Sequence, residues 1–402
     1  MAKNKTDLHR QFLLNPEIIF LNHGSFGATP RPVFRAYQRW QRELETQPVE
    51  FLGRRAPELL RNSRAVLANY LHADCDDLAY VSNATTGINI IARSLHLDEG
   101  DEVLATNHEY GAIDRTWTFL SKKNGFKYIN QPIGTPVSSS AALIADLWKG
   151  VTANTRVICI SHITSPTAMI FPIAEICRKA RQAGILTVID GAHAPGQIDL
   201  SLDELGADFY TGNLHKWLCA PKGSAFVYAR REVQALLEPL VVSWGWQSQN
   251  PGPSPFVDFL EFAGTRDISA YLAVPEAIKF QQQHGWDAVR ARCHLLASEA
   301  GHRIQAMTGL PFLYPDTSEW YAQMLTIPFP ADLNANQLQI ELRQKYNIEI
   351  PLISWNGMNL IRISVQGYNT EQDIDALVSA FSEFLKKGKS QMNFSSEPQE
   401  VR

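Results

Sequence analysis

The strongest constraint in this chain is a set of short apolar runs at residues 78–81, 102–106, 156–161, 186–189 and 209–211. Successive side chains on a strand point to opposite faces. A run such as Val157-Ile158-Cys159-Ile160 has no polar alternation, so both of its faces must be covered. Each run ends in a polar turn, and stretches of helical periodicity lie between them. That alternation predicts an α/β fold built on a mainly parallel sheet with helices on both sides. Ligands of such sheets gather at the carboxyl ends of the strands, which makes the residues just after each run the candidates for chemistry.

The chain has room for this architecture. Its 402 residues correspond to roughly two to three domains' worth of chain, or one large unit with an appendage. A core of that size needs neither disulfides nor metal. With 45% hydrophobic and 19% charged residues, the composition excludes disordered, collagenous and disulfide-scaffold classes. Lys+Arg 37 against Asp+Glu 41 leaves a net charge of −4, which argues against nucleic acid or an anionic membrane as partner. The five cysteines are dispersed, with no CxxC pair and no zinc spacing, as expected in a reducing compartment. The N-terminus is polar and lacks an apolar signal core, and no apolar stretch approaches ~18 residues. A cytoplasmic location is therefore expected.

The ends differ from the middle. Val33, Tyr37, Trp40 and Leu44 recur at helical spacing and suit core packing or a subunit contact. Beyond about Val274, residues 322–327 and 359–363 look like strands. Thr370-Glu371-Gln372-Asp373 resembles a capping box opening a helix with Ile374, Leu377, Val378, Phe381 and Phe384 on one face. The expected division is a segment 1–30 joining a small α+β domain at 274–387, a large domain at 31–273, and a disordered tail at 388–402. The tail is Ser-, Gln- and Glu-rich, with little apolar surface to offset ordering entropy.

Three positions after strands carry the chemistry. Val188-Ile189-Asp190-Gly191-Ala192-His193 sets a carboxylate at the end of a buried run, suited either to a buried cation or to capping a helix. Thr211-Gly212-Asn213-Leu214-His215-Lys216-Trp217 places a Lys where surroundings could depress its pKa, so that it can condense with a carbonyl. Alone it would read as a surface Lys, but Asp190 after another strand weakens that reading. Asn83-Ala84-Thr85-Thr86-Gly87 opens a helix whose free N–H groups and hydroxyls suit a phosphate, although an N-cap explains the Thr pair equally well. A phosphate cradle, an acid and a Lys form the set that pyridoxal phosphate requires.

At these residues the chain resembles the class V aminotransferase family of fold-type-I pyridoxal-phosphate enzymes, and within it the isopenicillin N epimerase-like branch. The resemblance runs from Phe20-Leu21-Asn22-His23-Gly24-Ser25-Phe26-Gly27 to Arg362-Ile363-Ser364-Val365-Gln366-Gly367-Tyr368-Asn369. It is densest at Ser161-His162-Ile163-Thr164-Ser165-Pro166-Thr167 and at residues 212–223. It implies that Lys216 holds the cofactor aldehyde as a Schiff base and shuttles the α-proton. Asp190 would pair with the ring nitrogen, and His193 would lie near the ring hydroxyl. Ala84, Thr85, His215 and Asn213 would serve the phosphate. Tyr110 would stack on the ring where relatives often carry His. Gly264-Thr265 would reach a neighbouring subunit's phosphate, implying a homodimer with shared active sites. Arg362 would bind the substrate carboxylate with its planar fork. Away from the family, Arg362 would read as a strand-end salt bridge and Tyr110 as a core aromatic. His23-Gly24 would approach the substrate, and Arg54-Arg55 reads as a solvated helix start.

Such a site can epimerise, transaminate or eliminate, and Lys216 and Asp190 serve all three. Epimerisation needs a proton source on the opposite face, and an ordinary phenol near pKa ~10 such as Tyr110 is a poor base at neutral pH. No second base is assigned. Desulfurases of this family carry a nucleophilic Cys before the substrate Arg, but residues 347–360 contain none. The leading expectation is an epimerase-like enzyme acting at Cα of an amino acid, with a cysteine or cystine C–S lyase and an aminotransferase as alternatives. A non-catalytic binding protein on this fold would have no need to keep Lys216, Asp190 and Arg362 together.

Overall fold

The computed structural model describes residues 7–394, with side chains from Leu8 through Lys387. Its strands are β1 (Ile19–Phe20), β2 (Leu78–Val81), β3 (Glu102–Thr106), β4 (Lys127–Gln131), β5 (Thr155–Ser161), β6 (Leu186–Asp190), β7 (Phe209–Asn213), β8 (Ala225–Ala229), β9 (Met324–Phe329), β10 (Ile348–Glu349), β11 (Leu352–Trp355) and β12 (Met358–Ser364). A seven-stranded sheet runs β2-β8-β7-β6-β5-β3-β4. Pairing is parallel from β7 to β4, and β8 is antiparallel to both of its neighbours.

Both faces of this sheet are dry, and alternate residues feed different cores. Ile158, Ile160, Ile189 and Tyr210 join one apolar cluster, whereas Val157, Cys159, Val188 and Phe209 join another. The uninterrupted apolar runs are the sequence trace of that two-sided burial. β4 departs from it: as the edge strand it carries Lys127, Asn130 and Gln131, and none of its side chains is fully buried. That is the composition expected of a protected edge.

The helix Ala84–Ser94 begins at Asn83, whose carboxamide oxygen accepts from the Thr86 N–H at 2.8 Å. It approaches β7 so closely that a Cβ on Gly87 would lie 2.3 Å from Thr211 Oγ1. The helix Arg31–Thr46 buries Val33 and Leu44 of the expected stripe and leaves Tyr37 and Trp40 partly exposed.

A second, three-stranded antiparallel sheet has the order β11-β12-β9. The helices Trp286–Thr308 and Glu371–Phe394 pack together beside it, burying Ile374, Leu377, Val378, Phe381 and Phe384. The Thr370 N–H donates to the Asp373 carboxylate at 3.1 Å, which is the acidic half of a capping box. The N-terminal segment is stitched to this half of the chain: β1 pairs parallel with β10, and Asn22 bridges to Ser364. The last helix continues to Phe394, so the backbone of 388–394 is helical where disorder was expected. The remainder of that tail, 395–402, lies outside the described residues. Among the described residues no helix is long and apolar enough to cross a membrane.

Candidate active site

The carboxyl ends of β5, β6 and β7 converge in register: Asp190 lies opposite Ser161 on one side and Thr211 on the other. Asp190 is buried, and its hydrogen bond comes from the Ala192 N–H at 2.9 Å. Burial pushes its carboxyl pKa upward, against the pull of that N–H and of Lys216. No ion pair neutralises it among the described residues. A buried acid in this state is matched to a cationic partner brought from outside the chain.

Lys216 follows β7 in a tightly pinned loop. Its carbonyl accepts from Cys219 N–H at 3.1 Å and from His23 Nε2 at 3.0 Å. Gln281 Nε2 donates to the carbonyl of Trp217 at 2.8 Å. Gly27, at φ +68°, passes so close that a Cβ there would sit 2.0 Å from the His215 carbonyl oxygen. The Lys216 amine lies 3.1 Å from His193 Nε2, and the Trp217 indole N–H donates to His193 Nδ1 at 3.2 Å. Burial and the charge of Arg362 lower the Lys216 pKa to about 8, with Asp190 pulling the other way. Burial likewise drives His193 well below the usual imidazole range, helped by Lys216 and Arg362.

Arg362 on β12 completes the site. It is only 5% exposed, and no carboxylate partners it among the described residues. One terminal nitrogen donates to Ser165 O at 2.7 Å and Ser165 Oγ at 3.0 Å, the other to Ser25 Oγ at 3.1 Å, and Nε has no partner. Burial lowers its pKa to about 10. This is not the strand-end salt bridge that Arg362 could have been. Tyr110 is near enough to act electrostatically on Arg362, and it stands 49% exposed at the start of the helix Gly111–Asn124 rather than in the core.

The phosphate end is partly rearranged from expectation. The Ala84 N–H is committed to Asn213 Oδ1 at 2.8 Å, so Asn213 orients the helix start instead of leaving Ala84 as a free donor. The Thr85 hydroxyl has no hydrogen bond among the described residues. His215 Nδ1 donates to Ser224 O at 3.1 Å, and burial lowers its pKa to about 4, leaving it neutral.

Other expected site residues lie elsewhere. His23 is fully buried, with Nε2 on the Lys216 carbonyl and Nδ1 on the Tyr368 hydroxyl at 3.0 Å. Both ring nitrogens are used, so His23 supports the Lys216 loop and is not free for a substrate. A Cβ on Gly24 would meet Met324 Sδ and Ser364 Oγ at 2.9 Å, so that glycine serves packing. Gly264 and Thr265 are exposed. Arg54 and Arg55 occupy a single π turn and pair with Glu50 and Glu43 on the surface.

Sequence reasoning missed several residues. Ser25 and Ser165 hold Arg362, Trp217 holds His193, and Glu109 lies buried beside Asp190. Glu109 accepts from the hydroxyls of Thr106 and Ser161, both at 2.7 Å, and burial raises its pKa to about 7. Its one signal was position, immediately after β3 and before Tyr110.

These groups fit pyridoxal phosphate. An unpaired buried carboxylate answers a ring nitrogen, a Lys of lowered pKa answers an aldehyde, and an unpaired guanidinium answers a carboxylate. Comparisons with known proteins agree. The Aminotransferase class-V family model matches residues 19–377. Isopenicillin N epimerase of Streptomyces clavuligerus is 35% identical over 380 residues, covering 92% of this chain and 96% of that one. A putative L-cysteine desulfhydrase of Oryza sativa subsp. japonica is 30% identical over 410 residues, covering 92% and 83%. Among solved structures, the apo form of a cysteine desulfurase from Thermococcus onnurineus NA1 overlays with a TM-score of 0.82 at 19% identity, covering 95% and 98%. That last likeness is one of fold.

Proposed function

The chain belongs to the class V aminotransferase family, and from that premise we propose that it removes and returns the α-proton of an α-amino acid, in the manner of an epimerase. It is a pyridoxal-phosphate enzyme acting on an amino-acid substrate. The observation that carries the reading is Arg362: a buried guanidinium with an unfilled Nε and no carboxylate partner among the described residues, in the same site as Lys216 and Asp190.

Bound pyridoxal phosphate supplies an electron sink that acidifies the Cα–H bond of an attached amino acid. The chain supplies the rest. Lys216 would hold the cofactor, and its Nζ would take up the α-proton. A pKa near 8 suits a base at neutral pH. Asp190 would keep a proton on the ring nitrogen by charge at close range in a dry setting. Arg362, braced by Ser25 and Ser165, fixes the carboxylate and thereby the face presented to Lys216. Thr85 and His215 serve the phosphate. Tyr110 would stack on the ring.

A second reading is β-elimination of a sulfur substituent, favoured by the likeness to the rice protein. Persulfide transfer by a mobile Cys is disfavoured: residues 347–360 hold no Cys, and the thiol of Cys219, next to the Lys216 loop, is buried and pushed up to about 12. A homodimer with shared active sites accounts for Gly264-Thr265. It also accounts for the exposed apolar run Val241, Val242, Trp244, Trp246 and Phe262, since patches of this kind mark interfaces. The five free cysteines suit a cytoplasmic setting.

Incubating the holoenzyme with L-amino acids in deuterated water separates the reactions. Deuterium at Cα with loss of chirality supports epimerisation. Pyruvate with a released thiol or sulfide supports elimination. If only a keto acid and the amine form of the cofactor accumulate, the epimerase reading is wrong.

A further inference from the structure

Trp217, His193 and Lys216 form a hydrogen-bonded row, with the indole nitrogen 3.2 Å from His193 Nδ1 and His193 Nε2 3.1 Å from Lys216 Nζ. An indole N–H can only donate, so Nδ1 must accept. A neutral imidazole accepting at Nδ1 carries its proton on Nε2, and an imidazolium would set N–H against N–H. With Nε2–H as donor, Lys216 Nζ must accept, which an ammonium cannot do. The row is complete only with Lys216 as the amine, so it favours that form over the ammonium.

Trp217 is held to this task. Its side chain is fully buried, its carbonyl is fixed by Gln281, and its ring lies 5.0 Å from that of His23. Gly24 leaves the room it occupies: a Cβ there would come 3.3 Å from Trp217 Cζ2. The charged groups facing Lys216, Asp190 on β6 and Arg362 on β12, pull its protonation in opposite directions. Neither alone selects the amine.

We propose that Trp217 is a positioning residue: it locks His193 as the Nε2–H tautomer, and through it presents Lys216 as an unprotonated amine for capture of the pyridoxal phosphate aldehyde. In that capture Nζ attacks the aldehyde carbon, a C=N bond replaces C=O, and the oxygen leaves as water with the two amine protons. The inference rests on the reading of Lys216 as the cofactor-holding residue, but the tautomer itself needs no cofactor.

The test therefore begins on the apoprotein. Nitrogen-15 NMR of the histidines, with His193 assigned by its loss in His193→Gln, should show His193 protonated at Nε2 near pH 7. A proton on Nδ1, or a doubly protonated ring, overturns the proposal. Trp217→Phe keeps an aromatic ring and removes the N–H. A rise of one unit in the Lys216 pKa corresponds to about tenfold slower capture of pyridoxal phosphate at pH 7, followed by absorbance of the bound cofactor. In the His193→Gln background the same substitution should change that rate by less than about twofold, since the effect has lost its relay. Equal slowing in both backgrounds would mean that the indole acts by packing alone. If Trp217→Phe does not fold, the tautomer of the unaltered protein still decides. Failure of the unaltered protein to capture the cofactor would strike the functional reading instead.

Discussion

Replacing Arg362 by Met separates a substrate-binding guanidinium from a structural one, because the two roles predict different balances. The folded chain holds the Arg362 pKa at about 10 instead of 12.5, so keeping the group charged at neutral pH costs about 3 kcal/mol. Met, long and unbranched, removes that cost while filling much of the same space. It also abandons the hydrogen bonds to Ser165 O, Ser165 Oγ and Ser25 Oγ, which from a charged donor are worth about 1.5–3 kcal/mol each. At the lower end of that range the loss exceeds the gain by about 1.5 kcal/mol, so the melting temperature should fall by about 3–6 °C.

Catalysis should not be spared. Two charge-assisted hydrogen bonds to a substrate carboxylate are worth about 4 kcal/mol, or about 10³ in kcat/KM. The assay compares an α-amino acid with its uncharged carboxamide. The unaltered enzyme should prefer the acid by about 10³, and Arg362→Met should prefer it by less than about tenfold, with the cofactor still fixed on Lys216 by borohydride. Equal losses on both substrates, or a melting temperature lower by more than about 10 °C, would make Arg362 a strut and refute the reasoning.

Asp190→Asn should still allow borohydride to fix the cofactor on Lys216 while lowering kcat by at least about 10², since a buried charge partner worth ~3 kcal/mol or more is lost; near-normal turnover would exclude Asp190 as the ring-nitrogen partner. The Lys216 pKa is lowered from 10.5 to about 8. The unfolded chain therefore binds more protons between those values, and apoprotein stability should rise with pH across this window and be lost as pH falls through about 8. Denaturant titrations of the apoprotein should show a slope that is absent in Lys216→Met. Gly27→Ala sets a Cβ 2.0 Å from the His215 carbonyl oxygen at a positive φ, and should cost several kcal/mol with a matching fall in melting temperature.

The parallel sheet was legible because two-sided burial makes the interiors of β5, β6 and β7 mainly apolar, without polar alternation in runs such as Val157-Ile158-Cys159-Ile160, and a carboxyl-end site follows from that geometry. β4 left no such trace, because an edge strand is written in residues that also suit loops. Asp190 and Lys216 drew attention because one ends a buried strand and the other lies three residues beyond the next. His23 was misread for a related reason: a His-Gly pair near a site looks the same whether its ring faces substrate or, as here, grips the carbonyl of Lys216.

The remaining site residues were illegible because their roles are relations between distant segments. Ser25 and Ser165 are ordinary serines until β12 brings Arg362 between them, 337 and 197 residues away in sequence. Trp217 reads as core from its type and neighbours, and only the orientation of one N–H toward His193 Nδ1 makes it more. A pattern of residue types can indicate that a Lys and an Asp share a site. It cannot indicate that the Lys lacks an ion-pair partner, that the Arg has only serine and backbone acceptors, or that an imidazole is confined to one tautomer. Those unpaired and constrained states, rather than the residue types themselves, prepare the site for an aldehyde and a carboxylate.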